Sequence, residues 1–262
     1  MLIDSHCHFD HPRFDADRDT CWHAARAAGV CALLVPAIER ATWGRLQQLC
    51  QSCPGLYPAY GLHPLYLHQH QRADIAALAA WLERYPAVAI GECGLDYADP
   101  HLDRAEQQHL LEAQLELAQQ YHLPVILHAR RAVEAVLLTV RRYPGVRGVV
   151  HSFSGSLEQA FQLIEWGFML GFGGLVSYPQ ARRVRRVVTA IPLDAMLLES
   201  DAPDQPALPQ QGMRNEPRWL GTVVESIAAL RAVPSAQIAQ ATAANARQCF
   251  ALDILPHDPQ AD

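Results

Sequence analysis

Short apolar runs alternate with longer amphipathic stretches along most of the chain. Each apolar run has the length of a buried strand, and each amphipathic stretch repeats its apolar positions with helical period. Typical helical stretches are RDTCWHAARAAG, ADIAALAAWLERY and LEQAFQLIEWG. The strand-like runs are, in order, MLIDSH, CALLVPA, LYPAYGLH, AVAIGE, PVILHA, GVVHSF, FMLGFGG and MLLESD.

Eight strands that are each followed by a helix predict a closed (β/α)8 TIM barrel of the α/β class. We expect one domain over residues 1–262, because no linker or repeat divides the chain. A Pro-rich loop follows the eighth run, and two further helices are predicted at about residues 216–231 and 235–247. The alternative is an open, doubly wound sheet of eight strands.

Imidazoles and carboxylates stand at the ends of the apolar runs. His6 and His8 are two positions apart, so on a strand their side chains point the same way. In barrel enzymes the carboxyl ends of the strands carry the catalytic groups, so we expect these side chains to meet at one rim. The residues concerned are His6, His8, His63, Glu92, His128, His151 and Asp201.

A single histidine at a strand end is usually solvated or hydrogen-bonded, and Glu92 or Asp201 alone would be read as a cap or a loop charge. The repetition changes this interpretation, because the ordinary explanation would have to hold separately for each strand. Many ionisable groups buried together are costly unless something compensates them, and divalent cations do so. The pattern therefore predicts a metal site.

The ligand set predicts two cations that share one bridging carboxylate. Two ions about 3.5–4 Å apart lower the pKa of a shared water and clamp the attacking and leaving oxygens of a phosphodiester. Glu92 is the predicted bridge, and Asp201 is also a predicted catalytic base for the attacking water. Imidazole and carboxylate ligands suit Zn, Mn or Co, with Mg possible. One pocket would hold His6, His8 and Asp201, and the other would hold His128 and His151.

The composition excludes several other barrel chemistries. All 21 basic residues are arginine, so Schiff-base and pyridoxal-phosphate mechanisms, which need a lysine amine, are excluded. The net charge of −6 argues against a general polyanion binder, although it permits a phosphate substrate held locally by metal ions. The seven scattered cysteines predict a reducing, cytoplasmic location, and we expect neither a signal peptide nor a membrane span.

Two further residues are predicted to serve the same rim. Arg130 follows His128 and could bind a substrate phosphate through its guanidinium. Glu199 shares a strand face with Asp201 and is expected to orient the ligands.

For three other motifs we prefer a structural role over a functional one. Cys50 and Cys53 form a lone C-x-x-C without a second pair, so a metal site is disfavoured. His68 and His70 repeat the H-x-H pattern in a polar loop, with an accessory ligand as the alternative. The run ARRVRRVV is typical of a solvated helix face, with guidance of a nucleic-acid backbone as the alternative. Its arginines are Arg182, Arg183, Arg185 and Arg186.

The strand ends carry the motifs DSHCHFD, GLHP, IGECGLDY, PVILHAR, VVHSFSGS and LLESDAP. In this order they resemble the TatD family of metal-dependent hydrolases and deoxyribonucleases, over about residues 1–252. The resemblance implies that the six predicted ligands match the metal ligands of the family and that His63 contacts the phosphate. Members that resemble this chain are 3′→5′ exonucleases or repair nucleases. Asp204 departs from the tyrosine that commonly follows DAP, a change typical of the YjjV-type subgroup.

These observations favour a metal-dependent phosphodiesterase, with single-stranded DNA ends or another phosphodiester as the expected partner and no obligate protein partner. The alternative is a hydrolase of small esters, lactones or amides, because the same activated water attacks carbonyl carbon and phosphorus. A third possibility is a binding protein that holds metal without turnover, which the presence of every ligand type needed for water activation disfavours.

Overall fold

Eight parallel strands form a single sheet in the order β1 to β8, each paired with its neighbours along the chain. The computed structural model describes residues 1–254, so residues 255–262 of the predicted domain lie outside it. The strands are β1 (Leu2–Asp4), β2 (Val30–Pro36), β3 (Leu56–Tyr60), β4 (Ala89–Asp96), β5 (Val125–Arg130), β6 (Gly148–Val150), β7 (Phe168–Phe172) and β8 (Met196–Leu198).

The sheet curls until its first and last strands meet. Ser5 N donates a hydrogen bond to Leu198 O at 2.9 Å, and Asp201 N donates one to His6 O at 2.9 Å. These bonds join the carboxyl ends of β1 and β8, so the predicted barrel is confirmed and the open sheet is wrong.

Helices follow the strands as the amphipathic pattern predicts, and two more follow β8. The predicted segment at 216–231 begins with a 3-10 turn, Pro217–Trp219, before the α-helix itself. The helices are α1 (Arg18–Ala27), α2 (Trp43–Ser52), α3 (Ala73–Arg84), α4 (Arg104–Tyr121), α5 (Val133–Val140), α6 (Leu157–Glu165), α7 (Arg182–Ala190), α8 (Leu220–Arg231) and α9 (Ser235–Phe250). No helix among residues 1–254 is long and apolar enough to cross a membrane.

Helix α9 covers one end of the barrel. Ala243, Ala246 and Phe250 of this helix pack in one apolar cluster with side chains from seven of the strands. Small residues such as Ala32 and Ala59 leave room for this packing at the barrel centre. The amino-terminal end of the barrel is therefore filled with apolar side chains, and the polar strand ends lie at the opposite mouth.

Strand β4 is longer than the sequence pattern predicts. It runs to Asp96, so Glu92 lies within the strand and not at its end. The prediction failed because GECGLD reads as a turn: its two glycines and two acids are depleted in strands. Gly94 is required here, since a Cβ at this position would lie 2.0 Å from His128 O of β5. Glycine thus lets β4 approach β5 closely.

Candidate metal centre

A cavity of about 560 Å³ opens at the carboxyl ends of the strands, a volume typical of small-ligand sites. Of the nine residues that the sequence nominated for the site, all but His6 and Glu199 line this cavity. His6 lies behind them, with no exposed surface. The lining members are His8, His63, Glu92, His128, Arg130, His151 and Asp201.

Glu92 divides the centre into two halves, because each of its carboxylate oxygens faces a different group of histidines. Oε2 lies 3.1 Å from His6 Nε2 and 3.3 Å from His8 Nε2. Oε1 lies 3.0 Å from His63 Nε2, 2.9 Å from His128 Nδ1 and 2.8 Å from His151 Nε2. We call the Oε2 side, with Asp201, the first half and the Oε1 side the second half.

The first half is built from residues that follow β1 and β8. His6 Nε2 and His8 Nε2 are 3.2 Å apart, so the two imidazoles converge as the H-x-H spacing predicts. Asp201 Oδ1 lies 3.6 Å and 3.7 Å from these nitrogens. Asp201 has φ of 53°, a left-handed conformation that aspartate adopts more readily than most residues. The backbone bond to His6 O holds it there.

The second half takes its imidazoles from β5 and from the loops after β3 and β6. His128 Nδ1 and His151 Nε2 are 3.3 Å apart. The ring of His151 also stacks on that of His6, with centroids 3.9 Å apart and planes inclined by 11°. The two halves are therefore in direct contact, on either side of the Glu92 carboxylate.

Burial and the central carboxylate set the protonation of these groups. Burial lowers the pKa of His6 to about 4, reinforced by the neighbouring His151. Burial also opposes the charge on His151 and His8, but Glu92 outweighs it and raises their pKa to about 10 and about 9. The pKa of Glu92 is held well below its usual range against the opposing effect of burial by the surrounding histidines. Glu92 is thus an anion at neutral pH.

The donor set fits divalent cations. The His6 and His8 nitrogens face each other at a distance where a shared proton or a cation is needed between them. Glu92 Oε2 is buried and close to both rings, yet it makes no hydrogen bond. Three overlapping triads of side chains mix imidazole with carboxylate, and the ligand atoms within each triad lie within 4.8 Å of one another. Such ligands suit Zn, Mn and Co.

His63 belongs to one of these triads, but its hydrogen bonds give it a different role. Its Nδ1 accepts a hydrogen bond from Leu65 N at 3.0 Å. In the neutral ring the proton is then on Nε2, which faces Glu92 Oε1. Burial lowers the pKa of His63 to about 4, so this neutral form is the relevant one. His63 offers the centre an N–H donor and not a lone pair.

Both supporting residues expected from sequence lie near the centre, but Glu199 follows the end of β8, so the prediction of a strand face shared with Asp201 is wrong. The side chain of Arg130 is 63% exposed at the cavity mouth, and its guanidinium lies 3.9 Å from Asp96. Glu199 is buried, accepts a hydrogen bond from Ser152 N at 2.5 Å and lies 3.8 Å from His151 Nδ1. Glu199 therefore holds the loop that carries His151, at a distance too long for a hydrogen bond to the ring.

Sequence reasoning missed two side chains that contact the centre. Asp96 Oδ2 lies 3.0 Å from His128 Nε2. The sequence pattern ended β4 at Glu92, so Asp96 was not recognised as a residue at the strand end. The amide nitrogen of Gln205 donates to Asp201 Oδ2, and its oxygen accepts from Ser152 Oγ at 3.1 Å. No local pattern marks Gln205; its place next to the DAP motif was the available signal. Asp204 pairs with Arg13 at 3.0 Å, at the rim of the cavity.

The second H-x-H motif, the C-x-x-C pair and the arginine run of α7 contribute no ligand atoms to these triads. His70 Nε2 bonds to His63 O at 2.9 Å, so it supports the loop of His63, and His68 is exposed. Cys50 and Cys53 are free thiols at the end of α2, and burial raises the pKa of both. The arginines of α7 are exposed or half-buried on its outer face.

The model of the TatD-related DNase family matches residues 3–251. The chain belongs to this family. The metal-dependent hydrolase YjjV of Escherichia coli is 43% identical over 254 residues, which cover 95% of this chain and 97% of YjjV. The crystal structure of YjjV superposes with a TM-score of 0.92 at 40% identity, over 96% of this chain and 98% of that one. The 3′-5′ ssDNA/RNA exonuclease TatD of Erwinia tasmaniensis is 32% identical over 92% of this chain and 96% of that protein. The resemblance to TatD metal-dependent hydrolases, including the YjjV type, is confirmed.

Proposed function

We propose that this TatD-family hydrolase is a phosphodiesterase that acts on DNA ends with two divalent cations. The observation that carries the proposal is the position of Glu92, whose two oxygens face two separate groups of imidazoles. A carboxylate in this position can bridge two cations. His6, His8 and Asp201 would hold one, and His128 and His151 the other. Zn, Mn, Co and Mg are the candidate ions.

When bound, such ions activate water for attack at phosphorus and neutralise charge on the phosphate. The protein groups supply the remaining functions. Asp201 accepts the proton of the attacking water as general base. His63 donates its Nε2–H to a phosphate oxygen. The guanidinium of Arg130 is exposed at the mouth and binds the phosphate at a second point. Each of these groups lines the same cavity.

Support for a nucleic-acid substrate comes from the relatives and from the local charge. Relatives over most of the chain are named as a deoxyribonuclease and as an ssDNA/RNA exonuclease. Arg45 and Arg130 both line the cavity, so cationic groups stand at the mouth of a protein whose net charge is −6. Single-stranded ends are the proposed form, because the site lies inside a cavity. The cytoplasmic location stays a prediction from the cysteine content.

The test is hydrolysis of 5′-labelled single-stranded DNA by the purified protein, next to a panel of esters, lactones and amides. We expect stepwise shortening from the 3′ end, loss of activity after chelation and recovery with Mn, Mg or Zn. Turnover of the ester panel alone would support the small-molecule hydrolase and contradict this proposal. Full activity after exhaustive chelation would contradict the metal mechanism.

A further inference from the structure

Asp96 and His128 form a buried carboxylate–imidazole pair behind the second half of the centre. Asp96 is 0% exposed, and its Oδ2 lies 3.0 Å from His128 Nε2. The opposite ring nitrogen, Nδ1, lies 2.9 Å from Glu92 Oε1 and 3.3 Å from His151 Nε2. Nε2 of His128 thus faces a carboxylate that lies outside the ligand cluster, and Nδ1 faces the cluster itself.

The surroundings of Asp96 fix its carboxylate in one orientation. Oδ1 accepts a hydrogen bond from Ala98 N at 2.8 Å, which leaves Oδ2 for His128. The backbone of Asp96 is held on both sides by the buried amide of Gln107, at 2.8 Å and 2.9 Å. A carboxylate can only accept, so the nitrogen it faces must carry a proton.

We infer that Asp96 is a positioning residue that makes His128 a metal ligand through Nδ1. Both ring nitrogens face a carboxylate, Asp96 at Nε2 and Glu92 at Nδ1. With the proton held on Nε2 by Asp96, a cation that replaced the Nδ1 proton would find the lone pair of the neutral ring there. Hydrogen bonds of this kind to a ligating histidine fix its tautomer and orientation. The inference rests on the metal centre of the proposed function but not on its substrate.

His63 shows the opposite arrangement a few ångströms away. Its ring centroid is 4.5 Å from that of His128, and both rings face Glu92 Oε1. In His63 a backbone N–H occupies Nδ1, so the nitrogen facing the centre carries the proton. In His128 a carboxylate keeps the proton on the far nitrogen, so a bound cation could take the place of the proton that Glu92 Oε1 faces on Nδ1. The outer partner of each ring therefore decides which histidine binds metal.

The test is Asp96→Asn, followed by titration with zinc and by nuclear magnetic resonance of the histidine rings. The asparagine oxygen keeps the bond to Ala98 N, so its amide N–H faces His128 Nε2 and drives the proton onto Nδ1. We expect one of two zinc ions to bind about 10- to 100-fold more weakly, with the other unchanged. Asp99→Asn is the matched control: Asp99 is exposed in the same loop, and its Oδ1 accepts from His101 N at 2.9 Å.

The wild-type protein provides a second measurement that does not depend on the folding of the variant. In ¹⁵N spectra of the zinc-loaded protein, His128 should carry its proton on Nε2 and zinc on Nδ1, with His128→Gln used for assignment. Zinc on Nε2, or equal loss of both ions in Asp96→Asn, would overturn the inference. A wild type that binds no zinc would instead contradict the metal centre of the proposed function.

Discussion

The two halves of the centre meet at Glu92 but are built in different ways. In the first half, His6 and His8 follow the same strand, and a backbone bond from Asp201 N to His6 O ties the third member to them. In the second half, His63, His128 and His151 come from three separate segments, and two of them are oriented by partners outside the cluster. Backbone geometry brings the first half together, with one side-chain hydrogen bond from Gln205 to Asp201, and hydrogen bonds to the outer ring nitrogens orient two histidines of the second half.

This difference explains how far the sequence could predict the site. The period-2 spacing of His6 and His8 is a local signal, so their convergence was predictable from strand geometry alone. The barrel, all eight strands and the gathering of seven polar residues at one mouth were predictable from the repeated pattern. The proton positions on His63 and His128 were not, because they depend on Leu65 N and Asp96, which no spacing rule connects to those rings.

Glu92→Gln should produce the largest effect, since it removes the one charge that both halves share. The amide keeps the shape of the side chain but offers only one acceptor oxygen. We expect kcat/KM to fall at least ~10³-fold and both cations to bind more weakly. The measurement is hydrolysis of labelled DNA together with metal content at equilibrium.

Glu165→Gln, at the exposed end of α6, is the matched control and should behave as wild type. If Glu92→Gln weakened only one cation, the carboxylate would belong to one half, and the comparison between the halves would fail.

Asp201→Asn should affect the first half alone. The variant loses the proposed base and one ligand, while His128 and His151 keep their contacts with Glu92. We expect kcat to fall about 10²- to 10³-fold, with the cation of the second half retained. Steady-state kinetics and zinc titration measure the two effects separately.

Asp194→Asn serves as the control, because Asp194 is an exposed carboxylate in the turn before β8. A near-normal kcat in Asp201→Asn would remove the proposed base, and loss of both cations would show that the halves are not separable.

Arg130→Ala should have the smallest effect, because its guanidinium lies at the mouth and is proposed to bind substrate outside both halves. A charged hydrogen bond contributes about 1.5 kcal/mol, so we expect KM to rise about tenfold with kcat nearly unchanged. Arg182→Ala removes the same charge from the exposed face of α7 and distinguishes a local contact from general attraction. An equal rise in KM for both variants, abolished by added salt, would mean that the arginines attract the nucleic acid at long range. A rise confined to Arg130→Ala would place a phosphate of the substrate beside β5, next to the half of the centre that His128 and His151 build.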